Sequence, residues 1–161
     1  MKEVFAAAIQ DDYPDDYAWC YGCGRLNKEG HQFQTVWEGE HTKTVYTPEP
    51  EHAAIPGFVY GGFIASLIDC HSTGSASLAL HRKNGHEPGD RVEPPRFVTA
   101  SLCVDFIRPT PQHVQLVAKG IVSEIHPKKW KVMTEVFAED TLCAKGEVTA
   151  VIMPSAFTKN S

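Results

Sequence analysis

From Gly61 to His81 the chain places Phe63, Ile64, Leu67, Ile68, His71, Gly74, Ser75 and Leu78 at three- and four-residue spacing. That period predicts an α-helix. The positions between them, Ala65, Ser66, Cys70, Ala76, Ser77 and Ala79, are small, and apart from Asp69 no charge appears before the last turn. A helix with no charged face is expected to be enclosed on most sides. At ~1.5 Å per residue it is near 30 Å long, enough to cross a small domain.

After this segment the period changes to two. Val114, Leu116, Ala118 and Val122 share one face, as do Val132, Thr134, Val136 and Ala138. Ala144, Gly146, Val148, Ala150 and Ile152 do the same against Lys145, Glu147 and Thr149. Strands are expected at 96–108, 113–126, 130–139 and 142–153. Their short connections, Pro109-Thr110-Pro111, Pro127-Lys128-Lys129 and Glu139-Asp140-Thr141, predict an antiparallel meander. Two earlier strands, 31–39 and 41–48, are expected to pair across Glu38-Gly39-Glu40. Residues 82–95 are rich in Gly and Pro and form a loop. The acidic, aromatic stretch 1–19 is a lead-in arm or short helix, and 154–161 a tail. The whole, 1–161, is one α+β domain with its core over 20–153, an antiparallel sheet curled around one long central helix: the hotdog fold.

Composition narrows the functions. A chain of 161 residues can bury one core, and a formal net charge of -5 argues against a nucleic-acid partner. An anionic ligand would need a local basic patch. No run approaches the ~18 apolar residues of a membrane helix, and the apolar start is too short for a signal segment. Five cysteines, an odd number without a leader, fit reduced thiols and a cytoplasmic location.

Asp69 is the outlier in the helix. Asp is a poor helix former, and an unpaired buried carboxylate costs several kcal/mol on an order-of-magnitude reading. Ala would serve the helix better, which points to chemistry. Gly61 and Gly62 open the same helix, where unpaired N–H groups suit a carbonyl oxygen or an oxyanion. The two features lie eight residues apart, hence ~12 Å along one helix. Base and oxyanion donor must both lie within about 3 Å of one carbonyl region. A catalytic pair therefore takes Gly61 from one subunit and Asp69 from another across antiparallel helices, which requires a homodimer and leaves a dimer of dimers open.

The stretch Pro56-Gly57-Phe58-Val59-Tyr60-Gly61-Gly62, followed by an apolar helix with Asp69, resembles the helix signature of hotdog thioesterases of the phenylacetate-degradation (PaaI-like) type. Cys20-Tyr21-Gly22-Cys23-Gly24 with Asn27 and Gly30 is similar to the family's opening motif, and 96–111 to its first strand after the helix. The resemblance spans roughly 20–153. It implies an acyl-CoA thioesterase in which Asp69 activates water or attacks the thioester carbonyl. It also implies that the Gly61 N–H binds the oxyanion, Gly62 permits close approach and Thr99 positions the water. The family's usual His before the Gly pair is Tyr60 here, whose hydroxyl is an alternative donor.

The coenzyme A that the substrate carries is the only cofactor this chemistry needs. Its phosphates would seek basic groups, of which Arg96, Arg108, Lys128 and Lys129 are the leading candidates beside Arg82, Arg91 and Lys131. Cys20 and Cys23 form a lone CxxC with no second pair to complete a zinc site, although His31 and His41 could in principle add ligands. No metal is expected, and two buried thiols in a tight turn is the preferred reading. Cys70 and His71 are adjacent on the helix and diverge by ~100°, so they do not form a nucleophile–base pair. A non-catalytic acyl-CoA-binding protein is the alternative from another class. A hydratase is less favoured, because Tyr60 stands where its catalytic His would.

Overall fold

The apolar stretch folds as α1, Gly61–Lys83, two residues longer than its periodicity predicts. The helix stops at Asn84 and Gly85, where Gly85 takes a φ of +87°. His81, Arg82 and Lys83 place basic groups at the negative end of the helix dipole. At the other end Tyr60 occupies the N-cap without a capping hydrogen bond, and the first turn contains no acid. The opening N–H groups are thus left without a capping side chain.

The computed structural model describes residues 6–158, in which six antiparallel strands wrap this helix. They are β1 (Thr35–Glu38), β2 (His41–Tyr46), β3 (Phe97–Phe106), β4 (Leu116–His126), β5 (Lys129–Ala138) and β6 (Thr141–Ile152). The expected hairpin is present, with Glu38 opposite His41 and Gly39 at a φ of +62° in its turn. The alternating faces also hold: Leu116, Ala118, Val132, Val136, Ala144, Val148 and Ala150 are all buried.

The meander is shorter than expected. The sheet order is β1-β2-β4-β5-β6-β3, so β3 does not precede β4 in the sheet but lies at the far edge beside β6. Pro109 and Pro111 lack the N–H groups that a tight hairpin ladder would need. Their segment instead crosses the open end of α1, where the Thr110 carbonyl accepts the Val59 N–H at 2.9 Å. One extra residue, Ala100, interrupts the β3–β6 register between Thr99 and Ser101. Before this bulge Phe97 and Thr99 face the helix side. After it Leu102, Val104 and Phe106 do, opposite Val148, Gly146 and Ala144.

Phe63, Ile64, Leu67 and Ile68 pack α1 into the concave face. The fit is close at Gly146, where a Cβ would come within 2.4 Å of Ile68 Cγ2. From Cys70 to Leu78 every residue is buried. The first half of α1 is less enclosed than its composition predicts. Gly62 is exposed, and Ala65, Ser66 and Asp69 are partly so. These positions recur at helical spacing and form one open stripe from the helix start to Asp69.

The lead-in stretch is part of the packing. Two 3₁₀ turns, Ile9–Asp12 and Asp15–Tyr17, bury Ile9 and Tyr13, and Gln10 bonds to both the backbone and the side chain of Thr35.

His71 is fully buried, its Nδ1 2.7 Å from Thr44 Oγ1 and its Nε2 3.3 Å from Thr42 Oγ1. Burial pushes its pKa down from 6.5 to about 3, so the ring is neutral in the folded chain. The unfolded chain protonates this ring near pH 6.5, whereas the folded chain resists until about pH 3. Stability is therefore unaffected by this group above pH 6.5 and is lost as the pH falls toward 3, on the order of 5 kcal/mol in all. Urea unfolding at pH 7, 6, 5 and 4 should show this slope in the wild type, and His71→Gln should flatten it.

Candidate active site

Asp69 sits on the open stripe of α1, partly buried, and Thr99 Oγ1 donates a hydrogen bond to its Oδ1. The bulge at Ala100 makes this contact compatible with the rest of β3. It keeps Thr99 aimed at the helix while the strand resumes with the even-numbered residues inward. The bond leaves Oδ2 for a second partner. Burial raises the Asp69 pKa above the usual carboxylate value of 3.8, and the Thr99 hydroxyl, which bonds the charged form, opposes that shift.

The acid limb of any activity that needs the Asp69 carboxylate should therefore lie above the range of a free carboxylate. Removing the opposing bond in Thr99→Val should move the limb further toward neutral pH and lower the plateau. A pH profile of kcat/KM for both proteins checks this, and an unmoved limb would show that the hydroxyl does not act on the carboxylate.

At the helix start, Gly62 exists in a space that a side chain would contest. A Cβ there would come within 2.3 Å of the Tyr60 ring. Tyr60 thus folds over the first turn, and its hydroxyl lies beside the backbone of Gly62. A Cβ on Gly61 would meet the Phe106 ring at 3.1 Å, so the end of β3 covers the first helical residue. An apolar recess of about 420 Å³ opens here, lined by Val59, Gly61, Ile64, Phe106, Arg108 and Thr110. A second groove, about 360 Å³, runs between Lys119, Ile121, Met133 and Glu147 on the outer face of the sheet. The sheet separates it from Asp69, so it has no part in this chemistry.

The structure brings Asp69 to Thr99, and Gly61 and Gly62 to Tyr60 and Phe106, as two separate groups along one helix. The expected basic residues divide between them. Arg108 is exposed beside the recess, its Nη1 bonded to the Leu142 carbonyl at 3.0 Å. Lys128 and Lys129 lie at the β4–β5 turn, at the end of the sheet that carries Thr99. Arg96 faces inward, its guanidinium 4.7 Å from the Tyr13 ring centre and bonded to the Phe97 carbonyl, a poor position for a coenzyme phosphate. Leu102 and Phe106 escaped the sequence reading. Both face the helix side of β3, yet they are 40% and 56% exposed, an unusual state for inward residues.

The opening motif is a compact turn. The Gly24 N–H bonds to the Cys20 carbonyl at 2.7 Å, and Asn27 bridges the Glu29 N–H and the Trp19 carbonyl. Cys23 is buried as expected and Cys20 half so, and Cys70 joins them from α1, which their spacing gave no means to foresee.

Fold and site together define a single-helix hotdog protein with a carboxylate held by a strand hydroxyl on the open face of the helix. The chain belongs to the thioesterase superfamily, whose sequence profile matches residues 56–145. A thioesterase superfamily protein from Shewanella loihica PV-4 is 43% identical, with a TM-score of 0.66 over 87% of this chain and 98% of that one. A phenylacetic acid degradation-related protein from Ralstonia eutropha JMP134 shares the fold at 16% identity and a TM-score of 0.59, covering 76% and 86% of the two chains. A Streptococcus mutans UA159 protein bound to acetyl CoA does so at 17% identity and 0.56, covering 75% and 88%. The comparison with curated proteins finds no match. Among the described residues no helix is long and apolar enough to cross a membrane.

Proposed function

We propose that the protein is a PaaI-like acyl-CoA thioesterase that works as a homodimer in the cytoplasm. The observation that carries this reading is the Asp69 carboxylate, fixed by Thr99 on a helix face otherwise made of Gly62, Ala65 and Ser66. Small residues there leave room for a thioester beside a base. The acetyl CoA held by the Streptococcus mutans protein of the same fold supports coenzyme A as the thiol portion.

In the reaction, Asp69 Oδ2 takes a proton from water as the water oxygen attacks the thioester carbonyl carbon. The Gly61 N–H, at the positive end of α1, stabilises the oxygen as it becomes anionic. Collapse of the tetrahedral intermediate breaks the carbon–sulfur bond, and the proton on Asp69 passes to the departing thiolate. The products are a carboxylic acid and free coenzyme A. One oxyanion donor contributes on the order of 3 kcal/mol and a general base 10²–10⁴-fold. A thioester carbonyl has weaker resonance stabilisation than an ester, and these two devices suffice for it.

The second subunit enters through β3. Its ten residues pair with β6 on one side only and contain no Pro or Lys to discourage a further strand. Leu102 and Phe106 offer an apolar surface along the same edge. Antiparallel pairing of β3 with a second copy sets the Thr99 end of one strand against the Phe106 end of the other. Asp69 packs at the first end and Gly61 at the second. The pairing therefore brings base and oxyanion donor together from two chains, with Arg108 at the mouth for a coenzyme phosphate.

Thiol release from acetyl-, hexanoyl-, lauroyl-, benzoyl- and phenylacetyl-CoA tests the activity directly. Hydrolysis of at least one is expected. Absence of turnover on all five by a folded dimer would favour a non-catalytic acyl-CoA-binding protein instead.

A further inference from the structure

Three sulfur atoms from two distant stretches of chain meet next to Asp69. Cys20 and Cys23 come from the motif turn and Cys70 from α1. All three Sγ atoms lie within 4.8 Å of one another, with Cys20 Sγ 3.8 Å from Cys70 Sγ. Metal–sulfur bonds of ~2.3 Å in a tetrahedral or trigonal site give sulfur–sulfur edges of about 3.8–4.0 Å. One edge already has that length, and the others need to close by no more than about 1 Å.

The surroundings make room for the cluster. The motif turn is tight, the Gly24 N–H donating to the Cys20 carbonyl at 2.7 Å. Gly22 also makes room for Cys70, since a Cβ there would stand 2.2 Å from Cys70 Sγ. The Cys20 and Cys70 thiols are within hydrogen-bond reach of each other, and either can be the donor.

We propose that Cys20, Cys23 and Cys70 form a binding site for a thiophilic d¹⁰ cation, zinc or cuprous copper, that ties the motif turn to α1 one residue past Asp69. Thiolate sets select these ions over magnesium, calcium or manganese. Among the described residues no His, Asp or Glu joins the three sulfurs. Cuprous copper is satisfied by the three, and zinc takes its fourth ligand from solvent on the half-buried Cys20 side. Binding requires all three sulfurs as thiolates, so entry of the cation releases protons to solvent.

The full chain, purified with a reductant and a chelator and then freed of both without air, is titrated with zinc, with cobalt as a coloured probe, and with cuprous copper. The expected result is one cation per chain, release of protons on zinc binding, and thiolate-to-cobalt charge-transfer absorption. Cys20→Ser, at a half-buried position that should not disturb folding, is expected to weaken binding at least about 100-fold, while Cys103→Ser on β3 leaves it unchanged. Alkylation of the wild type gives a readout independent of any variant: the cation should protect three of the five cysteines until chelator is added. Tight binding of either ion supports the site and identifies its occupant. Failure of the reduced, folded wild type to bind any of them overturns it. So does equal affinity in Cys20→Ser, or recovery of the cluster as a disulfide that reforms whenever reductant is removed.

Discussion

Asp69→Asn is expected to lower kcat for thioester hydrolysis by about 10²- to 10⁴-fold, with acyl-CoA affinity changed by only a few fold. Asn keeps the shape of the side chain, and its carbonyl oxygen can still accept the Thr99 hydroxyl. What it loses is basicity. The same substitution should raise stability at neutral pH. The Asp69 pKa is raised in the folded chain, chiefly by burial, so its ionised form costs folding energy above that pKa, and an amide does not. Loss of turnover with a higher unfolding midpoint would mark a residue kept for chemistry at the expense of the fold. A variant that hydrolyses thioesters at the wild-type rate would remove Asp69 from the reaction.

Complementation gives the second large effect. Gly61→Pro deletes the proposed oxyanion donor at the first helical position, where proline is well tolerated. The preceding residue, Tyr60, already has the extended backbone (φ -75°, ψ 145°) that a following proline demands. Each variant alone should be nearly inactive. Unfolded together and refolded in equal amounts, they should recover about a quarter of the wild-type rate, because half the dimers are mixed and each mixed dimer holds one intact composite site. Recovery absent from a verified mixture of dimers would place both groups in the same chain's site and refute the two-chain arrangement.

Much of this fold was legible because its signals are periodic. A buried helix and half-buried strands announce themselves through spacings of three to four and of two, and those elements stand within a few residues of their expected limits. The position of β3 was not legible in the same way. Period two places Phe97–Phe106 in a sheet but says nothing about its neighbour, and a connection as short as Pro109-Thr110-Pro111 suggested the wrong one. Asp69 stood out because a carboxylate amid Ile68, Cys70 and small residues contradicts local preference, and such contradictions collect at functional sites. Thr99 was reached through family likeness alone, since an exposed Thr on an edge strand is ordinary. The contacts that distinguish Phe106 and Cys70 could not be read at all, because they run across 45 residues in one case and 50 in the other.

The strand order sets a timetable for the site. Among the described strands β3 pairs within the chain only with β6, which is synthesised after β4 and β5, so Thr99 emerges well before the surface that will hold it. Until β6 is complete, the ten residues of β3 have neither neighbour, and α1 carries Asp69 without its hydroxyl. A message cut short after β5 would therefore yield a chain with the helix and Asp69 in place but no means of fixing either to β3. Such a fragment would expose one of the least guarded edges of the protein. The Asp69–Thr99 pair is in this sense assembled only once β6 has been made.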